Sequence, residues 1–261
     1  MSSLIRSAMV AFNRSRIWRR RVSVGKDSFT AASFDRLLYL GMRKTFHSDT
    51  DESRFLASCL KPGMHVVDVG ANLGIYSHIL ARAVGSSGRV TAFEPDPDVY
   101  ASLSENIRIN GLTQIVAHRI ALGAKSGTAS FQRSSHNYGE NRLTVATPDG
   151  ASVVETPVIM LDEFLEGAPV DFIKMDIQGW ELPALKGMEK TLAANPNIQL
   201  YVELWPYGMA AAGATPKGLF EFLNDFGFSI EFRPKRGMPT AAQFARYSRI
   251  KYWFTDLYVR R

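Results

Sequence analysis

Five short apolar runs, set apart by stretches of helical period, constrain this chain more than any other feature. HVVDV (65–69), RVTAF (89–93), QIVAHRI (114–120), VDFIKM (170–175) and NIQLYVEL (197–204) read as buried strands. Between them, residues 75–84, 97–110 and 180–194 place apolar side chains at helical spacing. Pro95 and Pro97 mark the entry to the second of these helices, and Gly111 sits just past its end. Strands that alternate with helices build βαβ units and a parallel sheet covered on both faces. Because crossovers are right-handed, the expected fold is an α/β, doubly wound sheet.

Two regions break the rhythm. Residues 123–169 hold only short β-like runs (TASFQ, RLTVA, VVETPVI) between polar turns, which predicts an inserted β-rich segment over one edge or mouth of the sheet. After a helix near 216–226, FSIEF and KYWFTDLYV read as strands, with an antiparallel strand expected to close the sheet at its edge. The domain division expected is a basic N-terminal arm and helical extension over residues 1–45, then one catalytic domain over 46–261.

The net charge of +6 is not spread over that domain. Residues 1–27 hold seven bases (Arg6, Arg14, Arg16, Arg19, Arg20, Arg21, Lys26) and one acid, Asp27, which leaves 24 bases against 24 acids in the rest. A nucleic-acid-binding face on the main domain is therefore not expected. The arm places Leu4, Ala8 and Phe12 at helical spacing, a pattern that suits contact with an anionic membrane surface or a partner subunit through residues 1–27. A packed terminal arm is the simpler reading, and the oligomeric state is open. No stretch of about 18 apolar residues occurs, so no spanning helix is expected. Cys59 is the only cysteine, which excludes an intrachain disulfide and points to a reducing, cytoplasmic setting.

Ligands of a doubly wound sheet sit beyond the carboxyl ends of its strands. The first strand runs into Asp68-Val-Gly70-Ala71-Asn72-Leu-Gly74 and then a helix. Gly70 permits a tight turn, and Gly74 lets the helix start close to the strand. A dinucleotide loop needs G-x-G-x-x-G for the backbone to approach a pyrophosphate; here Asn72 stands at the middle glycine, and the third is missing. Glu94 ends the second strand and can take two ribose hydroxyls, which nicotinamide cofactors and S-adenosylmethionine both offer.

Charge separates the two. Asp68, Glu94, Asp176 and Glu203 fall at the ends of four predicted strands. Four carboxylates in one crevice repel a pyrophosphate and suit a ligand bearing an ammonium and a sulfonium. The bland alternative is that some of them face water or pair with lysines such as Lys174. Asp162, Asp176 and Glu203 could supply oxygen ligands to a divalent cation, but their spacing has no motif character, and no metal is expected.

VVDVGANLGIYS, AFEPDPDVYASLSENIRINGL, LDEFL and VDFIKMDIQGWELPALKGM, in that order, resemble the FkbM-type family of S-adenosylmethionine-dependent methyltransferases over about residues 46–232. The resemblance implies a Rossmann-like class I methyltransferase sheet and transfer of a methyl group to hydroxyl oxygens of sugars or natural products. Gln178 stands where many relatives have Glu. The residues expected to bind the cofactor are Asp68, Gly70, Ala71, Asn72, Gly74 and Glu94. Asp176 and Glu203, at the ends of neighbouring strands, are the expected catalytic carboxylates, since a hydroxyl acceptor benefits from a positioned base. In the inserted region, His136, Asn141 and Arg142 are expected to hold a small-molecule or glycan acceptor, and Trp205 offers an aromatic face. The alternatives are an NAD-dependent oxidoreductase on a related sheet and a non-catalytic S-adenosylmethionine-binding or assembly protein.

Overall fold

The computed structural model describes residues 21–24, 27–30, 50–133, 141–144, 152–233 and 239–261. His136 and the arm through residue 20 lie outside these. In chain order, β1 (Arg21–Val24) and β2 (Asp27–Thr30) precede α1 (Asp51–Cys59), β3 (His65–Val69), α2 (Ile75–Val84), β4 (Arg89–Phe93), α3 (Pro97–Asn110) and β5 (Ile115–His118). Then come β6 (Ala121–Leu122), β7 (Gly127–Arg133), β8 (Arg142–Thr144), β9 (Ser152–Ile159), α4 (Leu161–Leu165) and β10 (Phe172–Met175). The chain ends with α5 (Glu181–Lys186), α6 (Glu189–Ala194), β11 (Gln199–Leu204), α7 (Pro206–Ala211), α8 (Pro216–Asp225), β12 (Ser229–Arg233), α9 (Ala241–Tyr247) and β13 (Thr255–Arg260).

The main sheet has seven strands in the order β12-β13-β11-β10-β3-β4-β5. It is doubly wound, as the sequence pattern predicts. Successive residues of one strand serve opposite cores: Val66 packs with Leu80, Val90 and Leu103, while its neighbour Val67 packs with Ile173, Leu185 and Leu200. Burial on both faces is why these strands read as unbroken apolar runs. From β3 the chain goes to β4 on one side, while β10 pairs on the other. The ends of β3 and β10 therefore flank the point where the strand order reverses, the place where such sheets open a crevice.

The antiparallel strand is β13, and it lies one place in from the edge, between β11 and β12. The chain reaches the edge with β12 first and then returns through β13 into the gap. The strand also starts later than KYWFTDLYV suggests, because residues 251–254 form a turn and an extended link.

The inserted region forms a second, four-stranded sheet in the order β6-β9-β7-β8. The helix predicted over 180–194 is two helices, α5 and α6. The break falls at Gly187, where any side chain would run into the Gly123 carbonyl. Asp162 then caps α6, accepting from Lys190 N at 2.9 Å and from Thr191 N and Oγ1 at 2.7 Å. Its carboxylate is thus a structural cap, well suited to that and not to a ligand.

Residues 21–24 and 27–30 pair as antiparallel strands, in a region that the sequence suggests is arm and helical extension. These strands pack on α2 and α3. Asn106 accepts from Thr30 N at 2.7 Å and donates to Leu73 O at 2.8 Å, and Phe29 lies on the His78 ring. Among the described residues, no helix is long and apolar enough to cross a membrane.

Candidate functional site

A cavity of about 510 Å³ opens at the carboxyl ends of β3, β4, β10 and β11. One end of it is made by the loop after β3. The N–H groups of Gly70 and Ala71 donate to Phe93 O at 3.0 and 2.9 Å, which ties the loop to β4. Gly70 has φ +80°, and a Cβ there would run into the Asp176 carbonyl, so the loops after β3 and β10 approach closely only because residue 70 has no side chain. Asn72 takes φ +51°, and its Oδ1 accepts from Leu73 N at 2.8 Å. A short side chain that bonds its own backbone tolerates that conformation, which is how Asn serves where a dinucleotide loop has Gly.

Glu94, just past β4, lies against this loop. Its Oε2 accepts from Asn72 N at 3.0 Å and its Oε1 from Asp96 N at 2.9 Å. A carboxylate has about four acceptor sites, so two remain for hydroxyls in the cavity. Burial, reinforced by Asp96 and Asp68 nearby, raises its pKa to about 8.

Two of the residues expected to bind cofactor do not line the cavity. Asp68 is fully buried under the sheet end, where Ser77 Oγ donates to it at 2.6 Å and Lys174 Nζ lies 3.6 Å away. Gly74 instead lets α2 meet α3: a Cβ there would come within 2.6 Å of Leu103 Cδ1. Three of the four strand-end carboxylates, Glu94, Asp176 and Glu203, do face the cavity.

The opposite end is built from side chains. Gln178, in the left-handed region at φ +58°, donates from one amide nitrogen to Asp176 Oδ1 at 2.8 Å and to Glu203 Oε2 at 3.1 Å. Lys174 is buried beneath them, 3.8 Å from Asp176 Oδ2 and 4.8 Å from the centre of the Tyr76 ring. Burial alone would lower the Lys174 pKa, but Asp68, Asp176, Glu52 and Glu203 together hold it above its ordinary value. Burial and the neighbouring Asp176, Glu181 and Asp256 push Glu203 well above the usual carboxylate range. Asp256, opposite Glu203 in the β11–β13 register, is raised to about 7 by burial and by Glu52 and Asp176. Glu181 is raised to about 7 by burial although it accepts from Ile177 N and Gly179 N, both at 3.1 Å. It holds the turn that carries Gln178.

The inserted sheet supplies the roof. Asn141 Nδ2 donates to Asp96 Oδ2 at 3.1 Å, and Arg133 pairs with the same carboxylate at 2.6 Å, which fixes β7 and β8 to the N-terminus of α3. Arg142 reaches over the Trp205 ring at 5.7 Å, and Trp205 Nε1 donates to Lys251 O at 2.7 Å. Asn141, Arg142 and Trp205 all line the cavity. Sequence reasoning did not find Gln178 as the link between the carboxylates, nor Asp256 and residues 251–254. The one signal for Asp256 was an acid inside an apolar strand run.

Comparison with known proteins identifies the family. Residues 68–230 match the methyltransferase FkbM domain. A hexuronic acid methyltransferase of Haloferax volcanii is 30% identical over 168 residues, 63% of this chain and 63% of that protein. This chain thus aligns with under two thirds of that relative. A methyltransferase of Sordaria araneosa is 27% identical over 236 residues, 75% of this chain and 87% of that one. The structure of Trm5b from Pyrococcus abyssi shares the fold, with a TM-score of 0.51, 15% identity, and 94% of this chain and 56% of that chain covered.

A methyl-donating sulfonium fits the cavity: carboxylates line it, and Glu94 keeps acceptor sites for a ribose beside a loop that makes no pyrophosphate cradle. The nicotinamide alternative falls with the family match. The chain belongs to the FkbM methyltransferase domain family, and its cofactor is S-adenosylmethionine.

Proposed function

We propose that this methyltransferase acts on a hydroxyl oxygen of a sugar, glycan or other small-molecule acceptor. The observation that carries the reading is the Asp176–Gln178–Glu203 bridge, which opens into the same cavity as the Gly70–Glu94 end. S-adenosylmethionine supplies a methyl group on a sulfonium, already activated for in-line displacement. What the chain adds is position and a place for a proton. Gly70, Ala71, Asn72 and Glu94 would hold the cofactor, and Glu94 has acceptor sites that would suit ribose hydroxyls. Asp68 and Gly74 act beneath them by holding Lys174 and α2.

A hydroxyl acceptor has a pKa far above 7, so a carboxylate in hydrogen-bond reach of its oxygen helps remove the proton as the new bond forms. Asp176 is the base in this reading. Its Oδ1 accepts from Gln178 and its Oδ2 faces Lys174, which fixes the direction in which the carboxylate points. Burial beside Asp176, Glu181 and Asp256 raises the Glu203 pKa, which disfavours a second negative charge next to the base. Arg142, with Asn141 and Trp205, holds the acceptor from the inserted sheet. A guanidinium there pairs well with a carboxylate substituent, and the hexuronic acid methyltransferase relative makes a uronate the acceptor to try first.

The test is transfer of labelled methyl from S-adenosylmethionine to a panel of uronosides and neutral glycosides, followed by the same panel with Asp176→Asn. Labelled ether product lost in the variant, with cofactor affinity kept, supports the reading. Label on nitrogen, sulfur or carboxyl oxygen overturns it.

A further inference from the structure

Four large apolar side chains are exposed among the described residues, and three of them, Ile250, Tyr252 and Phe254, lie within five positions of one another. Tyr252 is 80% and Phe254 58% exposed. Both also line the cavity, at its mouth. The segment between them is not loose. Trp253 stacks on Tyr247 of α9 with ring centres 3.9 Å apart and planes 6° from parallel, and Lys251 O accepts from Trp205 at 2.7 Å. Trp253 is thus anchored to α9 while its two neighbours stay exposed.

We infer that Tyr252 and Phe254 form an outer subsite for a second sugar ring, so that the acceptor is the end of an oligosaccharide or glycoconjugate and not a free monosaccharide. The inference rests on the saccharide reading above and deepens it. Aromatic rings present broad apolar faces, and Tyr adds a polar tip; a pyranose offers a matching face of C–H groups ringed by hydroxyls. Two rings are far too small for a stable protein interface, which buries about 1,200–2,000 Å², but they match one or two sugars. The patch is continuous with the cavity that holds Asp176 and Arg142, so a chain whose terminal ring sits beside Asp176 leaves past Tyr252 and Phe254. Lys251 Nζ, 5.5 Å from the Tyr252 ring centre, gives the rim a cation for an acidic chain.

The test uses the full chain with S-adenosylhomocysteine bound, and two probes: methyl β-D-glucuronoside, and a disaccharide in which that uronate caps a glucose. Binding is followed by saturation-transfer NMR and titration. The disaccharide should bind at least about tenfold more tightly, with its second ring receiving saturation. Tyr252→Ala and Phe254→Ala should each remove most of that gain and leave cofactor affinity unchanged. Arg142→Ala should weaken both probes alike. Equal affinity for the two probes, or a gain that survives both aromatic substitutions, overturns the outer subsite while the acceptor reading stands. Binding of neither probe removes both, and pelleting with anionic vesicles through Tyr252 and Phe254 assigns the patch to a membrane instead.

Discussion

The two ends of the cavity are made in different ways. The cofactor end comes from one contiguous stretch, the β3 loop and the end of β4, and its decisive groups are backbone N–H donors, a missing Cβ at Gly70 and one carboxylate. The acceptor end is assembled from the β10 and β11 loops, the inserted β8 and the link before β13, and its decisive groups are side chains. Backbone geometry tolerates few replacements, so the first end has a sequence signature. Side chains carried on separate segments can be exchanged one at a time, so the second end can vary its ligand while the first stays the same.

The two ends approach most closely where Gly70 meets the Asp176 carbonyl, and breaking that contact should give the largest effect. Gly70→Val drives a branched side chain into the Asp176 carbonyl and holds a β-branched residue at φ +80°. Strain of that kind costs about 1–3 kcal/mol before any overlap is counted. The expected result is a fall in melting temperature of at least 10 °C with loss of S-adenosylmethionine binding by calorimetry. The variant therefore tests the contact and not the cofactor alone; a native-like melt would show that the loops can part without cost.

Asp176→Asn comes next and separates the ends. It keeps the shape and both side-chain neighbours but removes the base, so turnover should fall by about 10²–10⁴-fold. The cofactor dissociation constant should move by less than about threefold. A large change in that constant with turnover restored at saturating cofactor would reassign Asp176 to the cofactor end. Glu94→Ala is the mirror experiment. Two hydrogen bonds, each contributing about 0.5–1.5 kcal/mol net, predict cofactor binding weaker by roughly five- to a hundredfold, with acceptor affinity little changed.

How much of this could be read in advance follows from the same contrast. The five strands of the central parallel sheet and their doubly wound order depend on local pattern, and both were legible. The position of Asp68 was not legible, because the last acid of a strand points into the crevice or under the sheet according to its face. Here alternation puts it with Val66 on the α2 side, against Ser77 and Lys174. The split at Gly187 depends on a glycine 64 residues earlier, Gly123. Gln178 is two residues from Asp176 but 25 from Glu203, and no spacing rule announces such a bridge. Residues 251–254 read as strand because their composition is β-like; the stacking of Trp253 on Tyr247 is tertiary.

The buried acids sharpen the comparison through pH. Glu94 is raised to about 8, Glu181 and Asp256 to about 7, and Glu203 upward as well, all first by burial. In the unfolded chain Glu94 and Glu181 lose protons near pH 4.5 and Asp256 near 3.8. Folded, Glu94 keeps its proton to about pH 8 and Glu181 and Asp256 to about 7, and Glu203 also keeps its proton to a higher pH than when unfolded. The native state thus binds more protons across that window, so stability is greatest below it and falls as pH rises. Each such group contributes up to about 1.4 kcal/mol per pH unit in that window, so a steep loss of stability between about pH 5 and 7 is expected in urea titrations of the free protein. Glu203→Gln should flatten the slope. A slope of the opposite sign would mean that other groups, with lowered pKa values, dominate.

The smallest effect concerns a region that belongs to neither end. The β1–β2 strand pair is held by Asn106 and Asn110 of α3 and by an ion pair between Asp27 and Arg82. Asp27 is buried while Arg82 is half exposed, so water screens the pair on one side. Exposed pairs contribute about 0–1 kcal/mol, and the buried carboxylate places this one towards the upper limit. Asp27→Ala should therefore lower stability by about 1 kcal/mol in urea. Cofactor affinity should change by less than twofold, because Asp27 is not on the links that run from these strands towards the cavity, through Asn106 to the Leu73 carbonyl and through Phe29 and His78 to the Gly74 carbonyl. Asn106→Ala cuts the first of these links and should weaken both stability and cofactor binding. If Asp27→Ala lowered cofactor affinity as much as Asn106→Ala does, the strand pair would be part of the cofactor end and the contrast between two independent ends would no longer describe the molecule.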